Sequence, residues 1–276
     1  MADGKKDLEA LVERSRAGDR EALEDLVRAI QDRLYRLALR MLGDAAEAED
    51  ATQEILVKVI TDLGSFRGRS SFSTWSYRVA INHLLQMKRR GLEKLALSFD
   101  QMAQMIDRAA AAPDYGEGQP FAQVLATELR LKCTQGMLVC LDREHRLAYI
   151  LGEVLELSGE EGAEALDIEP AAFRKRLSRA RADLGEFLGG RCGLYDAAAP
   201  CRCSKQIGPA LRAGLFDPSR IDLATHPVSG GRPPPALEEM VGIMDAGRVF
   251  RGAPDYAAPD SFVKALREMI HAPRHA

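Results

Sequence analysis

Apolar residues in this 276-residue chain recur at spacings of three and four almost from end to end. Leu23, Leu26, Val27, Ile30, Leu34, Leu37, Ala38 and Met41 form one such row. At 3.6 residues per turn they share one face, so the segment reads as a long amphipathic helix with a single buried stripe. Gly43-Asp44 ends it. A second helix from about Ala45 has Ile55, Leu56, Val59, Ile60 and Leu63 as its inner face. Nothing reads as a sheet, because no sustained run alternates β-branched with polar residues. The chain is therefore expected to be all-α, and its length suggests two or three domains. No apolar run nears the roughly 20 residues that span a bilayer. The polar N-terminus, MADGKKDLEALVERSRAGD, lacks the apolar core of a signal peptide. A cytoplasmic protein without membrane contact is expected, and in a reducing compartment five cysteines do not suggest a disulfide framework.

Charge is segregated along the chain. The formal net charge is −3, yet Phe66 to Arg90 contains no acidic residue. It carries Arg67, Arg69, Arg78, Lys88, Arg89 and Arg90, interleaved with Phe66, Phe72, Tyr77 and the only tryptophan, Trp75. Cations attract phosphate and release its counterions, and aromatic faces stack on unpaired bases. This combination suits a DNA strand being opened; a solvated basic helix is the plainer alternative. Ser73 or Thr74 can cap the helix that carries Trp75 to Arg90. The preceding segment, Asp44 to Asp62, is the electrostatic opposite, with six acidic residues against Lys58. It would repel nucleic acid and suits a protein contact, with Ile55 and Leu56 near the acidic rim as anchors. An exposed acidic helix is the alternative.

Ala96 to Pro120, with its AAAAPDYGEGQP tract, reads as a linker. Helices resume at Phe121. Ser158 and Glu161 form the S-x-x-E capping box of a helix start. Asp167-Ile168-Glu169 turns the chain, and Pro170 suits the first position of the next helix. A short helix, a tight turn and a longer basic helix make a helix-turn-helix. The second helix presents Arg174, Lys175, Arg176, Arg179 and Arg181, with Phe173, Leu177, Ala180 and Leu184 facing inward. Arg174 and Lys175, near its N-terminus, are candidates for reading base edges in a major groove. Arg176, Arg179 and Arg181 are candidates for phosphate. Cys133 and Cys140 read as small buried side chains.

After Leu188 the chain becomes rich in Pro and Gly. Cys192, Cys201 and Cys203, spaced C-x8-C-x-C, are candidate ligands for Zn²⁺ or a softer ion such as Cu(I), with His226 as the fourth. Reduced, unliganded thiols are the alternative. Two short amphipathic helices, around 237–250 and 260–270, are expected to pack back on the preceding domains or to meet a partner. No Ser/His/Asp set, GxGxxG or P-loop appears, so no enzyme is expected.

The order of these motifs, DAEDATQE, then FRGRSSFSTW with YRVA and RR, then a linker, then a helix-turn-helix ending RKRLSRARADL, resembles bacterial sigma factors. It is most similar to the extracytoplasmic-function (ECF) class, which keeps only regions 2 and 4. The resemblance implies region 2 over 1–95, a flexible linker over 96–120, region 4 over 121–190 and a Cys-containing extension over 191–276. It implies that Glu49, Asp50, Gln53, Glu54 and Ile55 dock on RNA polymerase core, at the β′ clamp, with the β flap as a further contact. It implies that Phe66 to Trp75, including Phe72, capture a flipped base of the −10 element. Tyr77, Arg78, Asn82, Arg89 and Arg90 would face that element, and Arg174 to Arg181 would face the −35 duplex. An anti-sigma factor is a further implied partner, and no cofactor is required. The chain departs from the family pattern at Ile81, Gln86-Met87 and Gly162. A stand-alone helix-turn-helix regulator, or a metal-responsive regulator using the C-terminal cysteines, are the competing readings.

Overall fold

A computed structural model describes all residues except 1, 90, 117–119, 216, 220, 229–234, 260–261, 263–266 and 268–276. Helix α1 (Ala2–Arg16) leads through Gly18 to α2 (Arg20–Leu42), whose first turn is capped by Asp19, accepting from the Ala22 amide at 3.1 Å. Gly43, at φ +72°, closes α2 in the left-handed conformation that favours glycine. Asp44 then caps α3 (Ala45–Thr61), accepting from the Glu47 amide at 2.9 Å. The predicted stripe of α2 is buried, with Ile30, Leu34 and Leu37 fully enclosed against α3 and α4 (Phe72–Gln86). Ser71, rather than Ser73 or Thr74, caps α4. Thr74 is buried, and the Ser73 hydroxyl is engaged by Arg33. The helix stops at Gln86, four residues before the expected end.

The segment read as a linker contains an ordered helix, α5 (Phe99–Ala110), with a full capping box between Ser98 and Gln101. Phe99 packs on Phe187, and Gln206 donates to the Ile106 carbonyl, so α5 is pinned from both sides. The rest of the chain comprises α6 (Pro120–Cys140), α7 (Arg143–Tyr149), α8 (Gly159–Leu166), α9 (Pro170–Gly189), α10 (Cys203–Arg212) and α11 (Ala246–Arg251). A π-helical turn, Ile150–Val154, continues α7. Of the two expected C-terminal helices, the first appears as a 3₁₀ turn (Glu238–Met240) and α11. The second falls largely outside the described residues. Among the described residues the only β pairing is two isolated bridges, and no helix is long and apolar enough to cross a membrane.

The two helical halves are joined by a buried ionic cluster that periodicity did not flag. Glu93, in the 3₁₀ turn Gly91–Leu95, is 4% exposed. Arg146 of α7 reaches it at 2.7 Å and also donates to the carbonyls of Met41, Leu138, Val139 and Leu141. Arg143 holds the other carboxylate oxygen at 2.5 Å and donates to the carbonyls of Leu84, Leu85 and Met87. Two guanidinium groups from α7 thus satisfy orphan carbonyls at the ends of α2, α4 and α6. Burial opposes ionisation of Glu93, but the hydrogen bonds and charges of Arg143 and Arg146 outweigh it and hold the carboxyl below its ordinary 4.5.

Removing one partner of such a cluster leaves a charge buried without compensation, at a cost of about 3–5 kcal/mol. Urea unfolding of Arg146→Met is expected to show a loss of that size. Because the folded-state pKa of Glu93 is lowered, its contribution is complete above pH 4.5 and is lost as pH falls through the lower folded value. Glu93→Gln should therefore flatten the acid limb of the stability profile. An unchanged limb would show that the ion pairs contribute nothing.

Candidate nucleic-acid and polymerase interface

The loop before α4 is built on an aromatic triad. Phe66 and Phe72 meet edge to face at 5.4 Å, and Trp75 lies 5.6 Å from Phe66 and 5.4 Å from Phe72. Phe66 and Phe72 are buried, at 6% and 1% exposed, whereas Trp75 is half-buried. The two phenylalanines, expected as open stacking faces, instead form the floor that orients Trp75. Gly68, at φ +68°, turns the loop back and puts Arg67 and Arg69 on the rim. Together Ser65, Phe66, Arg67, Arg69, Ser70 and Trp75 line a cavity of about 240 Å³, with both arginines exposed. One aromatic face, two cations and small hydroxyls therefore converge on one opening.

Asn82 on α4 and Arg89 beyond its end are exposed, but Tyr77 is buried and belongs to the core. Arg78 is half-buried and donates through Nε to the Glu164 carbonyl of α8 at 3.1 Å. Arg90 lies outside the described residues. On α3, Asp50, Gln53 and Glu54 are exposed and Glu49 is half-buried. Ile55 has no exposed surface, so it packs the core and cannot anchor a partner directly. Glu54 lies 3.4 Å from His83, whose ring is held below its ordinary pKa by burial and by Lys58.

The helix-turn-helix forms as read. Ser158 and Glu161 close the capping box of α8, Asp167 turns in the left-handed region at φ +54°, and Pro170 opens α9. Arg174 and Lys175 are exposed on α9. The other three cations are paired: Arg176 with Glu144 at 2.8 Å, Arg179 with Asp183 at 3.1 Å, and Arg181 with Glu153 at 2.6 Å. Surface ion pairs contribute about 0–1 kcal/mol, so a phosphate can displace such carboxylates. The close crossing of α8 and α9 explains Gly162. A Cβ there would lie 2.4 Å from the Phe173 ring, so glycine makes room for the bulky residue.

Cys192 and Cys201 face each other across an isolated parallel bridge, where the Gly193 amide donates to the Cys201 carbonyl at 3.1 Å. Burial raises the thiols of Cys133 and Cys203, and the nearby Cys192 and Cys201 add to the shift at both. Burial is the main cause and pushes Cys201 and Cys203 up to about 12. The described residues contain no group of three His, Cys, Asp or Glu placed to hold a metal ion. His226 is not the expected fourth ligand. Its ring stacks on Tyr35 at 5.4 Å, meets Tyr256 edge-on, and places Nε2 3.2 Å from the Ala257 carbonyl.

Sequence reasoning missed Glu93, Arg143 and Arg146. It also missed Arg40 and Arg130, both buried between the helical halves and the C-terminal segment. The available signal was an arginine inside an otherwise apolar helical run, as at Arg146 before Leu147-Ala148-Tyr149.

A helical bundle bearing this aromatic and cationic cavity, coupled to a helix-turn-helix, defines a two-part DNA-binding protein. Residues 14–92 match the family model described as Sigma-70 region 2. The chain is 34% identical over 182 residues to the RNA polymerase sigma-H factor of Pseudomonas aeruginosa, covering 64% of this chain and 92% of that one. It is 30% identical over 178 residues to the ECF RNA polymerase sigma factor SigW of Bacillus subtilis, covering 64% and 94%. A solved structure of CnrH in complex with the cytosolic domain of CnrY is similar at 21% identity and a TM-score of 0.49, covering 65% of this chain and 96% of that one. The chain belongs to the ECF class of RNA polymerase sigma factors. As a member of that class it directs promoter-specific initiation of transcription.

Gly162→Ala is expected to destabilise the chain by about 1–3 kcal/mol through overpacking. Phe173→Leu in the same chain should recover part of the loss in a denaturant titration. An additive double mutant would contradict the packing account.

Proposed function

We propose that three surfaces divide the work of initiation. Residues 1–95 act as region 2, 121–190 as region 4, and 191–276 as an extension that controls them in cis. The exposed acidic side of α3, with Glu49, Asp50, Gln53 and Glu54, docks on the β′ clamp of polymerase core, and region 4 meets the β flap. The cavity beside Trp75 receives a base of the −10 element as the duplex opens. Phe66 and Phe72 fix the indole, while Arg67 and Arg69 at the rim, with Asn82 on α4 and Arg89 just past its end, hold the displaced backbone. Arg174 and Lys175 read the −35 duplex. Arg176, Arg179 and Arg181 exchange their carboxylate partners for phosphates.

The observation that carries this reading is the cavity itself. An indole backed by two buried phenylalanines and fronted by two exposed arginines suits an unstacked base joined to phosphate. The chain makes and breaks no bond in this scheme. It contributes binding free energy that offsets the few kcal/mol needed to unstack a base. No step calls on a cofactor, and the setting is the cytoplasm, where polymerase and promoter DNA are found.

Run-off transcription with core polymerase and a promoter library tests the scheme. Defined transcripts that require both core and this chain are expected; their absence, with core active alongside another sigma factor, would end it. Stacking on an aromatic residue contributes about 1–3 kcal/mol per base. Trp75→Ala should therefore bind core normally yet open promoters roughly tenfold less well, read by permanganate footprinting. Opening at the wild-type level would remove Trp75 from base capture. On the −35 side, Arg174→Ala should cost about 1–3 kcal/mol and relax preference at one base pair. Arg179→Ala should weaken all sequences alike and reduce the salt slope by about one. Identical effects of the two variants would refute that division.

A further inference from the structure

The extension is bound to both halves of the chain. On the region 2 side, Phe262 and His226 enclose the Tyr35 ring of α2. Asp255 pairs with Arg36 at 2.5 Å, the Ala258 amide donates to Asp32 at 2.9 Å, and Arg267 pairs with Glu24 at 2.7 Å. Burial pushes the Glu49 carboxyl of α3 up, and His226 lies near enough to oppose that shift in part. On the region 4 side, both terminal nitrogens of Arg130 donate to the Gly252 carbonyl at 3.1 Å. The buried Glu128 carboxylate accepts the amides of Leu223 and Ala224 at 2.9 and 2.7 Å. Phe250 packs on Tyr149, and Arg251 donates to the Glu153 carbonyl at 2.8 Å.

This closed form cannot perform the proposed function. With α4 packed directly on α8, the two DNA-binding elements sit in contact, at an interhelical separation of roughly 10 Å. Promoter elements centred about 25 base pairs apart lie roughly 85 Å apart along B-DNA at 3.4 Å per pair. The covered interface also carries an unfavourable feature. Arg40 of α2 is 5% exposed, and its Nη1 has no hydrogen-bond partner among the described residues. Burial, together with the nearby Arg130, weakens its hold on its proton. The Tyr256 hydroxyl beside it is likewise unpartnered. Opening would return these groups to water, which offsets part of the cost of release.

We propose that the described parts of the extension over 221–228 and 235–259, with Phe262 and Arg267, are a built-in inhibitor that straps region 2 to region 4 and competes with core polymerase for the flank of α2 and α3 around Tyr35, Arg36 and Glu49. The proposal rests on the reading of α3 as the docking surface. When only a fraction of molecules is open, apparent affinity falls by that fraction. Releasing a strap that is closed in nine molecules of ten therefore tightens core binding about tenfold.

The full-length chain carrying Asp255→Arg with Phe262→Ala tests this, since neither residue belongs to the DNA- or polymerase-binding set. Binding to core is measured by fluorescence anisotropy, and helicity by far-UV circular dichroism confirms folding. Asp32→Cys with Ala258→Cys provides the opposite variant, a strap locked by a disulfide and freed by dithiothreitol. Expected results are core binding at least tenfold tighter for the released variant, and at least tenfold weaker for the locked variant, restored on reduction. Wild-type affinity in both variants would overturn the strap while leaving the sigma-factor reading intact. Failure of every form to bind core, the released and reduced ones included, would overturn the docking reading and the strap with it.

Discussion

The buried carboxylate of Glu93 is the point on which the arrangement of this molecule turns. It sits where the first helical bundle ends and draws in two arginines from the start of the second. Those arginines do more than neutralise it. Between them they take up backbone carbonyls at the ends of α2, α4 and α6, so the relative placement of three helices depends on one ionic cluster. Burying three charges is unfavourable unless each finds a full set of partners. Here the partners come from both halves, so the cluster is satisfied only while the halves remain together.

That dependence gives the two elements proposed to face DNA a shared fate. The cation that sequence placed on the promoter, Arg78, holds the Glu164 carbonyl of α8, and Arg181 is engaged by Glu153, which is itself held by Arg251 of the extension. Residues suited to phosphate are thus occupied by carboxylates and carbonyls of the same chain. The exchange of one set of acceptors for another is inexpensive at the surface, where each ion pair contributes little. It is harder at Glu93 and beneath the extension, where groups must be rehydrated together. The fold therefore concentrates its resistance to opening at a few buried positions and leaves the side chains proposed to bind DNA nearly free to switch.

Much of this was legible from residue order. The three-and-four spacing of α2, the Gly43-Asp44 break, the Ser158–Glu161 capping box and Pro170 at the start of α9 are local signals, and the chain obeys them. The errors came where tertiary contacts override local chemistry. Phe66, Phe72 and Tyr77 stand among cations and resemble a stacking surface, but an aromatic side chain is as easily used to fill a core, and only Trp75 remains half-open. Ile55 follows the same logic. The helix α5 was obscured by the alanine- and glycine-rich tract after it, although Ser98 and Gln101 carried a capping signal of their own. His226 was grouped with the cysteines by residue type; its placement against Tyr35 depends on a pairing nearly two hundred positions distant, which no local pattern encodes. The same holds for Arg146, whose acceptors come from three segments of the chain, around Met41, at Glu93 and over 138–141.

The central claim is that the free chain is closed and that productive engagement with polymerase and promoter separates its two halves. A distance measured between labels at Gln86→Cys, at the end of α4, and Glu186→Cys, late in α9, both exposed, addresses it directly, either by pulsed electron paramagnetic resonance or by energy transfer. The account predicts a short separation in the free chain and one longer by tens of ångströms in the complex with core polymerase and promoter DNA, as the spacing of the two elements requires. The same short distance in an actively transcribing complex, or the long one already present in the free chain, would contradict it.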